Sequence, residues 1–256
     1  MCGFGYKLNP PSPDKFMKKE IFYKLVDNLV PRTEIVRLNG RGESSIHPDF
    51  IEMLLYVRNN WPSVGINLFS NMSFTSNKLL HVLKNLNVQL FISFDSTNKI
   101  TLEKIRCGAN YERIISNIKL LQAHHIKPFI CMTLQEQNIH EIYEMGAFAF
   151  EHDLSIIYNT IRSDEVKYIQ GFIDKIHHKI DEIKQDFKKI RELYNSDKNK
   201  KQLKCLIPDQ MAGFLFSEQN FTQTHGSLKF CPALNNELCI LYDGTVTPCN
   251  MFNPYK

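Results

Sequence analysis

The chain has 256 residues, of which 43% are hydrophobic and 23% charged, and its formal net charge is +4 at pH 7. This composition is typical of a folded globular protein and excludes a disordered or fibrous chain. Most of the lysine surplus lies between Lys167 and Lys204, interleaved with Asp and Glu at helical spacing, which predicts a solvated helix face and no nucleic-acid partner.

Localisation signals are missing from the sequence. No apolar run approaches the roughly 20 residues needed to cross a bilayer, so no membrane association is expected. Residues 1–13 contain neither a basic start nor an apolar core, so they are not a signal peptide. The sequence therefore predicts a cytoplasmic protein, in which the seven cysteines serve as metal ligands or core residues more often than as disulfides.

Helix-type and strand-type apolar patterns alternate along the chain. Helices are predicted at 14–30, from Pro48 onward, and at 76–86, 98–106, 111–123, 139–151 and 164–195. Strands are predicted at 34–38, 65–69, 88–94, 127–134 and 154–158. Strands joined by single helices form right-handed βαβ units, so we expect a parallel sheet or barrel. Because such barrels normally open with a strand, the first strand is expected upstream of the given sequence.

The amino-acid composition changes after the last predicted helix. Residues 195–203 are polar and lysine-rich and are predicted to be a linker. Between Phe230 and Cys249 the chain has three cysteines and an Asp243-Gly244 turn between two β-prone runs, which predicts a hairpin.

The predicted strands are followed by polar residues of a consistent kind. These are the turn Gly40-Arg41-Gly42-Glu43, the strand ends Ser70-Asn71-Met72 and Ser93-Phe94-Asp95, and Arg106 before Cys107-Gly108. Ligands of parallel α/β folds bind at the carboxyl ends of the strands. Exposed main-chain groups, an Asp and an Arg there suit a polar ligand with hydroxyls and a carboxylate. A structural ion pair between Asp95 and Arg106 is the alternative reading.

These pieces, in this order, resemble the radical S-adenosylmethionine (radical SAM) family over about residues 1–160. The family's Gly-Gly-Glu, "TNG", "SxD" and "IRxG" motifs are similar to Arg41-Gly42-Glu43, Ser70-Asn71-Met72, Ser93-Phe94-Asp95 and Ile105-Arg106-Cys107-Gly108. The stretch 137–141, Gln-Asn-Ile-His-Glu, also resembles the family's segment after its fifth strand.

The family's C-x-x-x-C-x-x-C cluster loop is matched only at its end. Met1-Cys2 fits the hydrophobic position and the third cysteine, so the resemblance implies two further cysteines about three and seven residues upstream. The expectation is that the given sequence begins inside this loop. An incidental terminal thiol at Cys2 is the alternative.

The resemblance implies an activity and its cofactors. A 4Fe-4S cluster held by Cys2 and the two upstream cysteines would reductively cleave SAM, and the resulting 5′-deoxyadenosyl radical would abstract hydrogen from a peptide, protein or sugar-like substrate. By the same resemblance, Gly42 and Glu43 would hold the methionine amine, Ser93, Asp95 and Arg106 would contact ribose and carboxylate, and Asn71 would lie nearby. A reductant such as flavodoxin or ferredoxin is implied, and the given chain alone is expected to be inactive.

The C-terminal stretch resembles the opening of a SPASM or twitch auxiliary-cluster domain. Cys231, Gly244 and Cys249 fit that pattern, which implies an auxiliary iron–sulfur cluster with Cys231 and Cys249 as ligands. Cys131, Cys205 and Cys239 are expected in the core. A structural zinc hairpin that uses Cys231, Cys249 and His225 remains an alternative.

The predicted organisation is a radical SAM α/β domain at 1–195, a linker at 196–229 and the start of a SPASM/twitch-like module at 230–256. The fold class is a partial parallel (βα)6 TIM-like barrel that lacks its first strand, with the start of a cysteine-containing β-hairpin module. The alternative function is a non-catalytic barrel scaffold. An RNA-binding module is disfavoured, because no basic face carries aromatic or glycine signatures.

Overall fold

The computed structural model describes residues 16–39, 42–73, 75–160, 171, 174–207 and 237–247. The chain divides into two compact units. Unit 1 comprises Met1–Phe91, Glu112–Ile126 and Cys231–Lys256, and unit 2 comprises Ile92–Tyr111 and Lys127–Phe230. No helix in the described part of the chain is both long and apolar enough to cross a membrane.

Six strands form one parallel sheet whose spatial order is the same as their order in the chain. They are β1 (Ile35–Arg37), β2 (Gly65–Ser70), β3 (Gln89–Ser93), β4 (Phe129–Leu134), β5 (Ser155–Thr160) and β6 (Cys205–Leu206). In the parallel pair of β4 and β5, Phe129 lies opposite Ser155 and Leu134 opposite Thr160. The predicted α/β class and parallel topology are confirmed.

Strand β6 was not expected from the sequence. It lies inside 196–229, the stretch predicted as a linker, and pairs with β5 through Cys205 opposite Ile156. At two residues it is too short to show an alternating pattern.

Seven α-helices are described. They are α1 (Lys19–Leu29), α2 (Phe50–Asn60), α3 (Asn77–Asn85), α4 (Lys99–Ile105), α5 (Tyr111–Ala123), α6 (Ile142–Glu151) and α7 (Ile180–Ser196). Two begin at side-chain caps: Ser76 Oγ accepts the Leu79 amide, and Asn98 Oδ1 accepts two amides of the first turn of α4. Such caps satisfy amides that have no partner inside the helix.

Two helix predictions were wrong in extent. The first helix begins at Lys19 and not at residue 14. The long helix predicted from residue 164 is interrupted in its described part, because His177–Lys179 form a 3₁₀ turn before α7. Residues 161–170, which open that prediction, lie outside the described residues.

The core of each unit follows from the sequence patterns. In unit 1, Ile66 and Leu68 on β2 are buried, and Asn67 between them faces the other side of the sheet. In unit 2, α6 and α7 approach closely at Gly146, where a Cβ atom would lie 2.8 Å from Ile190 Cγ1. Gly146 is therefore required for the distance between these helices.

Three helices end in the same left-handed turn immediately before a strand. The residues after α3, α5 and α6 with positive φ are Asn87 (48°), His125 (58°) and Asp153 (54°). Each turn has the two hydrogen bonds of a Schellman motif. These are Asn87 N to Lys84 O and Val88 N to Leu83 O, His125 N to Gln122 O and Ile126 N to Leu121 O, and Asp153 N to Phe150 O and Leu154 N to Ala149 O.

The predicted C-terminal hairpin is also confirmed. Strands β7 (Cys239–Ile240) and β8 (Val246–Thr247) pair antiparallel, with Cys239 opposite Thr247. Gly244 closes the turn with φ of 87°, a conformation that favours glycine, and its amide donates to Leu241 O.

Candidate functional site

The first group of predicted site residues lies in unit 1, after β1 and β2. Glu43 accepts two hydrogen bonds of 2.7 Å: Ser45 Oγ donates to Oε1, and the Asn71 amide donates to Oε2. The carboxylate therefore ties the turn after β1 to the end of β2. Gly42 beside it is exposed, and apart from its two chain neighbours no described residue lies within 4 Å of where its Cβ would be.

The loop after β2 is held by its own polar contacts. Asn71 Oδ1 accepts the Ser73 amide at 2.8 Å. Met72 has a positive φ of 52° and is buried, and Asn117 Nδ2 donates to its carbonyl at 2.7 Å. The Asn71 side chain thus shapes its own loop, and its amide serves Glu43.

The second group lies in unit 2, at the end of β3. Asp95 is fully buried. Its Oδ1 accepts the Thr133 amide at 2.7 Å, and its Oδ2 lies 2.6 Å from Arg106 Nε. The N–H of Nε is poorly aligned with Oδ2, so the contact is an ion pair without a well-formed hydrogen bond. Arg106 keeps 21% of its side chain exposed.

Burial has the largest effect on the pKa of Asp95. Desolvation raises the pKa of Asp95 above its ordinary value, although the Arg106 charge and the Thr133 amide both act to lower it. Burial likewise raises the pKa of Cys131 on β4 to about 12. Cys131 is therefore an un-ionised core thiol, as predicted.

Local structure explains how Arg106 and Ser93 are placed. The Ala109 amide donates to Arg106 O across a turn in which Gly108 has φ of 85°. The glycine of the "IRxG" motif is therefore required by the turn that ends α4. Ser93 is the last residue of β3 and is half-buried.

Sequence reasoning missed a buried polar network behind Asp95. Asn138 is fully buried and donates through Nδ2 to Asp95 O at 2.8 Å and to Thr133 O at 3.0 Å. Ser96, also fully buried, donates to Glu141 Oε2 at 2.5 Å. The resemblance of residues 137–141 to a family segment was the available signal.

The predicted metal ligands Cys2, Cys231 and Cys249 lie outside the described residues. Within the described part of the chain, no three His, Cys, Asp or Glu side chains form a group suited to a metal ion. Cys205 and Cys239, expected in the core, are half-buried.

Two features of the described residues, one in each unit, each suit a polar group of a ligand. Arg106 offers a cation whose buried Nε makes no well-aligned hydrogen bond with a described residue. Gly42 leaves its backbone open to a close approach. Gly42 lies after β1, and Arg106 follows α4 and pairs with Asp95, which lies just after β3. Ligands of this class of fold bind at the carboxyl ends of the strands. The fold therefore defines a parallel α/β protein, of the class that binds ligands at its strand ends.

Comparison with known families identifies the class further. The Radical SAM superfamily matches residues 1–149, which is more than half of the chain. The chain belongs to the radical SAM superfamily, a superfamily of enzymes.

Two curated relatives share local similarity with the chain. The tungsten-containing aldehyde ferredoxin oxidoreductase cofactor-modifying protein of Pyrococcus furiosus is 26% identical over 125 residues, which are 46% of this chain and 35% of that protein. The antilisterial bacteriocin subtilosin biosynthesis protein AlbA of Bacillus subtilis is 25% identical over 198 residues, 72% of this chain and 44% of AlbA. The chain spans less than half the length of each.

Solved structures share the fold at low identity. Streptococcus suis SuiB bound to its precursor peptide SuiA superposes with a TM-score of 0.67 and 15% identity, over 98% of this chain and 57% of SuiB. Native anSMEcpe with bound AdoMet and the Cp18Cys peptide gives a TM-score of 0.65 and 12% identity, over 98% of this chain and 70% of that chain.

Proposed function

We propose that the chain is the SAM-binding part of a radical SAM enzyme that modifies a peptide. The observation that carries this proposal is the Asp95–Arg106 pair, in which a buried carboxylate presents a partly exposed guanidinium at the end of a parallel strand. A guanidinium held in this way is suited to a carboxylate ligand.

Each proposed binding residue would have its own role. In unit 1, Glu43 would supply negative charge for the methionine amine beside the open backbone of Gly42. In unit 2, Arg106 would bind the carboxylate, Asp95 would orient Arg106, and Ser93 would donate to the ribose. Asn71 holds the Glu43 carboxylate through its amide, so its contribution to binding would be through Glu43.

Cys2 and two further cysteines would hold a 4Fe-4S cluster. With an electron from a flavodoxin or ferredoxin, the cluster would supply the cleavage of SAM to methionine and a 5′-deoxyadenosyl radical, which would take a hydrogen atom from the substrate. The chain's own residues act before this chemistry, by binding SAM in one orientation. A peptide substrate is supported by SuiB, solved with the precursor peptide SuiA, and by anSMEcpe, solved with the Cp18Cys peptide. AlbA is named for the biosynthesis of a bacteriocin.

The domain organisation is also part of the proposal. Residues 1–195 would form the radical SAM domain, 196–229 the connection and 230–256 the start of a SPASM/twitch-like module. The β7–β8 hairpin supports this, because it lies between Cys231 and Cys249, the proposed ligands of an auxiliary cluster.

Equilibrium dialysis of SAM against the full chain, with Arg106→Met as the matched variant, tests the binding proposal. SAM should bind to the wild type and at least tenfold more weakly to the variant. Equal binding by the two proteins, or none by the wild type, would overturn the assignment. For the chemistry, the parent protein is reconstituted anaerobically with iron and sulfide and reduced with dithionite. Formation of 5′-deoxyadenosine supports the proposal. Bound zinc without iron, and no 5′-deoxyadenosine, would favour the zinc-hairpin scaffold.

A further inference from the structure

A single buried amide joins the two segments that hold the Asp95 carboxylate. Asn138 Nδ2 donates to the carbonyls of Asp95 and Thr133, and Asn138 Oδ1 accepts the Gln135 amide at 2.8 Å. All three bonds are made within unit 2 by a side chain with no exposed surface. Asn138 therefore connects the end of β3 to the end of β4 and closes the turn that follows β4.

The two acceptors of this amide are the residues that determine where the carboxylate lies. Asp95 carries the carboxylate, and the Thr133 amide donates to its Oδ1 at 2.7 Å. Arg106 in turn depends on that carboxylate, since Nε lies 2.6 Å from Oδ2. A displacement of either carbonyl would move Oδ2 and with it the guanidinium.

A second contact fixes the same loop from the other side. Ser96, next to Asp95, donates to the buried carboxylate of Glu141, and its Oγ accepts the Asn98 amide at 2.9 Å. Residues 95–98 are thus held by the segment after β4 at two points, Asn138 and Glu141. Of these two side chains, Asn138 is the one whose described hydrogen bonds reach Asp95 and Thr133, the residues that set the Asp95 carboxylate.

We propose that Asn138 is a positioning residue for Arg106: its side-chain amide aligns the guanidinium that binds the carboxylate of SAM. The inference rests on the proposed SAM-binding function and names a residue that acts without touching the ligand. Among side chains of this length, only asparagine offers the two donors and one acceptor that these three bonds use. Aspartate keeps the shape and the acceptor but loses both donors.

The experiment compares binding of SAM and of decarboxylated SAM to the full chain by calorimetry. Asn138→Ala should weaken SAM binding about tenfold and leave the affinity for decarboxylated SAM unchanged. In an Arg106→Met background, Asn138→Ala should have no further effect on SAM binding, because the residue acts through Arg106. Asn138→Asp should show the same selectivity, and it replaces the alanine variant if that protein does not fold.

Tyr158→Phe is the matched control for lost stability. It removes a buried hydrogen bond to Ile142 O in the same unit, and SAM affinity should not change. Wild-type SAM affinity in both Asn138 variants overturns the inference alone. Equal weakening of both ligands, or a full additional effect in the Arg106→Met background, overturns it in favour of a purely structural role. Failure of the wild type to bind SAM overturns the proposed function and this inference together.

Discussion

Replacing Glu43 by glutamine removes one negative charge from the turn after β1 and leaves the shape of the side chain nearly unchanged. In the wild type, both carboxylate oxygens accept hydrogen bonds of 2.7 Å, one from Ser45 Oγ and one from the Asn71 amide. A glutamine can keep both contacts: its oxygen accepts the Asn71 amide, and its NH₂ donates to Ser45 Oγ, since a hydroxyl can accept as well as donate.

The cost of the change is therefore the loss of charge assistance. A hydrogen bond to a charged group contributes about 1.5–3 kcal/mol to stability and one between neutral groups about 0.5–1.5 kcal/mol. A difference of about 1 kcal/mol at each contact predicts that Glu43→Gln lowers the free energy of unfolding by about 2 kcal/mol. If Glu43 also balances the amine of SAM, the affinity for SAM should fall about tenfold, which corresponds to about 1.4 kcal/mol.

Urea denaturation and SAM dialysis measure the two effects separately. Glu52→Gln is the matched control in the same unit, because Glu52 pairs with Lys19 at the surface and exposed pairs contribute little. A Glu43→Gln variant as stable as the wild type would refute the structural reasoning. A variant with reduced stability but unchanged SAM affinity would refute the role of Glu43 in binding the amine.

Three further predictions concern unit 2. Burial raises the pKa of Asp95, so the native state holds this proton more tightly than the unfolded chain. Relative to Asp95→Asn, the free energy of unfolding of the wild type should therefore fall as the pH rises from the ordinary Asp pKa of about 3.8 through the raised pKa of Asp95. The opposite trend in urea denaturation between about pH 4 and 7 would contradict this. Iodoacetamide at pH 8 should alkylate the exposed Cys107 in the native protein, as detected by mass spectrometry. Cys131 should react only after denaturation, because it is buried and burial raises its pKa to about 12. Gly146→Ala should lower the free energy of unfolding, measured by urea denaturation, by about 1–2 kcal/mol. Overpacking against Ile190 costs about 1–3 kcal/mol, and the higher helix propensity of alanine returns at most about 1 kcal/mol. An unchanged urea midpoint would mean that the two helices separate freely.

The elements with regular apolar patterns could be predicted from the sequence, and the others could not. Helix α5 has the predicted bounds, Tyr111–Ala123, because its pattern is long and sustained. The first helix starts five residues later than predicted, although its apolar pattern begins earlier. Strand β6 contains only Cys205 and Leu206, and it exists because β5 offers a partner, which a local pattern does not reveal.

Most residues of the candidate site could be predicted from the sequence, but the contacts between them could not. The ordered motifs placed Glu43, Asn71 and Asp95 at strand ends and Arg106 at the end of a helix. The structure shows two contacts among them, Glu43 with Asn71 and Asp95 with Arg106. Asn138 could not be found by residue type, because a loop asparagine usually indicates a turn. Its importance comes from acceptors 43 and 5 positions away in the chain.

The three Schellman turns before β3, β4 and β5 are positions at which the stability of the protein could be increased by substitution. Each places a residue with a Cβ atom in a conformation that glycine adopts without penalty, and His125 fits it less well than Asn87 and Asp153 do. His125→Gly would relieve this strain for a net gain of up to about 1 kcal/mol, since glycine also gives the unfolded chain more freedom. Because these turns precede the strands, such a substitution would make the protein more stable for anaerobic work without altering any residue that follows a strand.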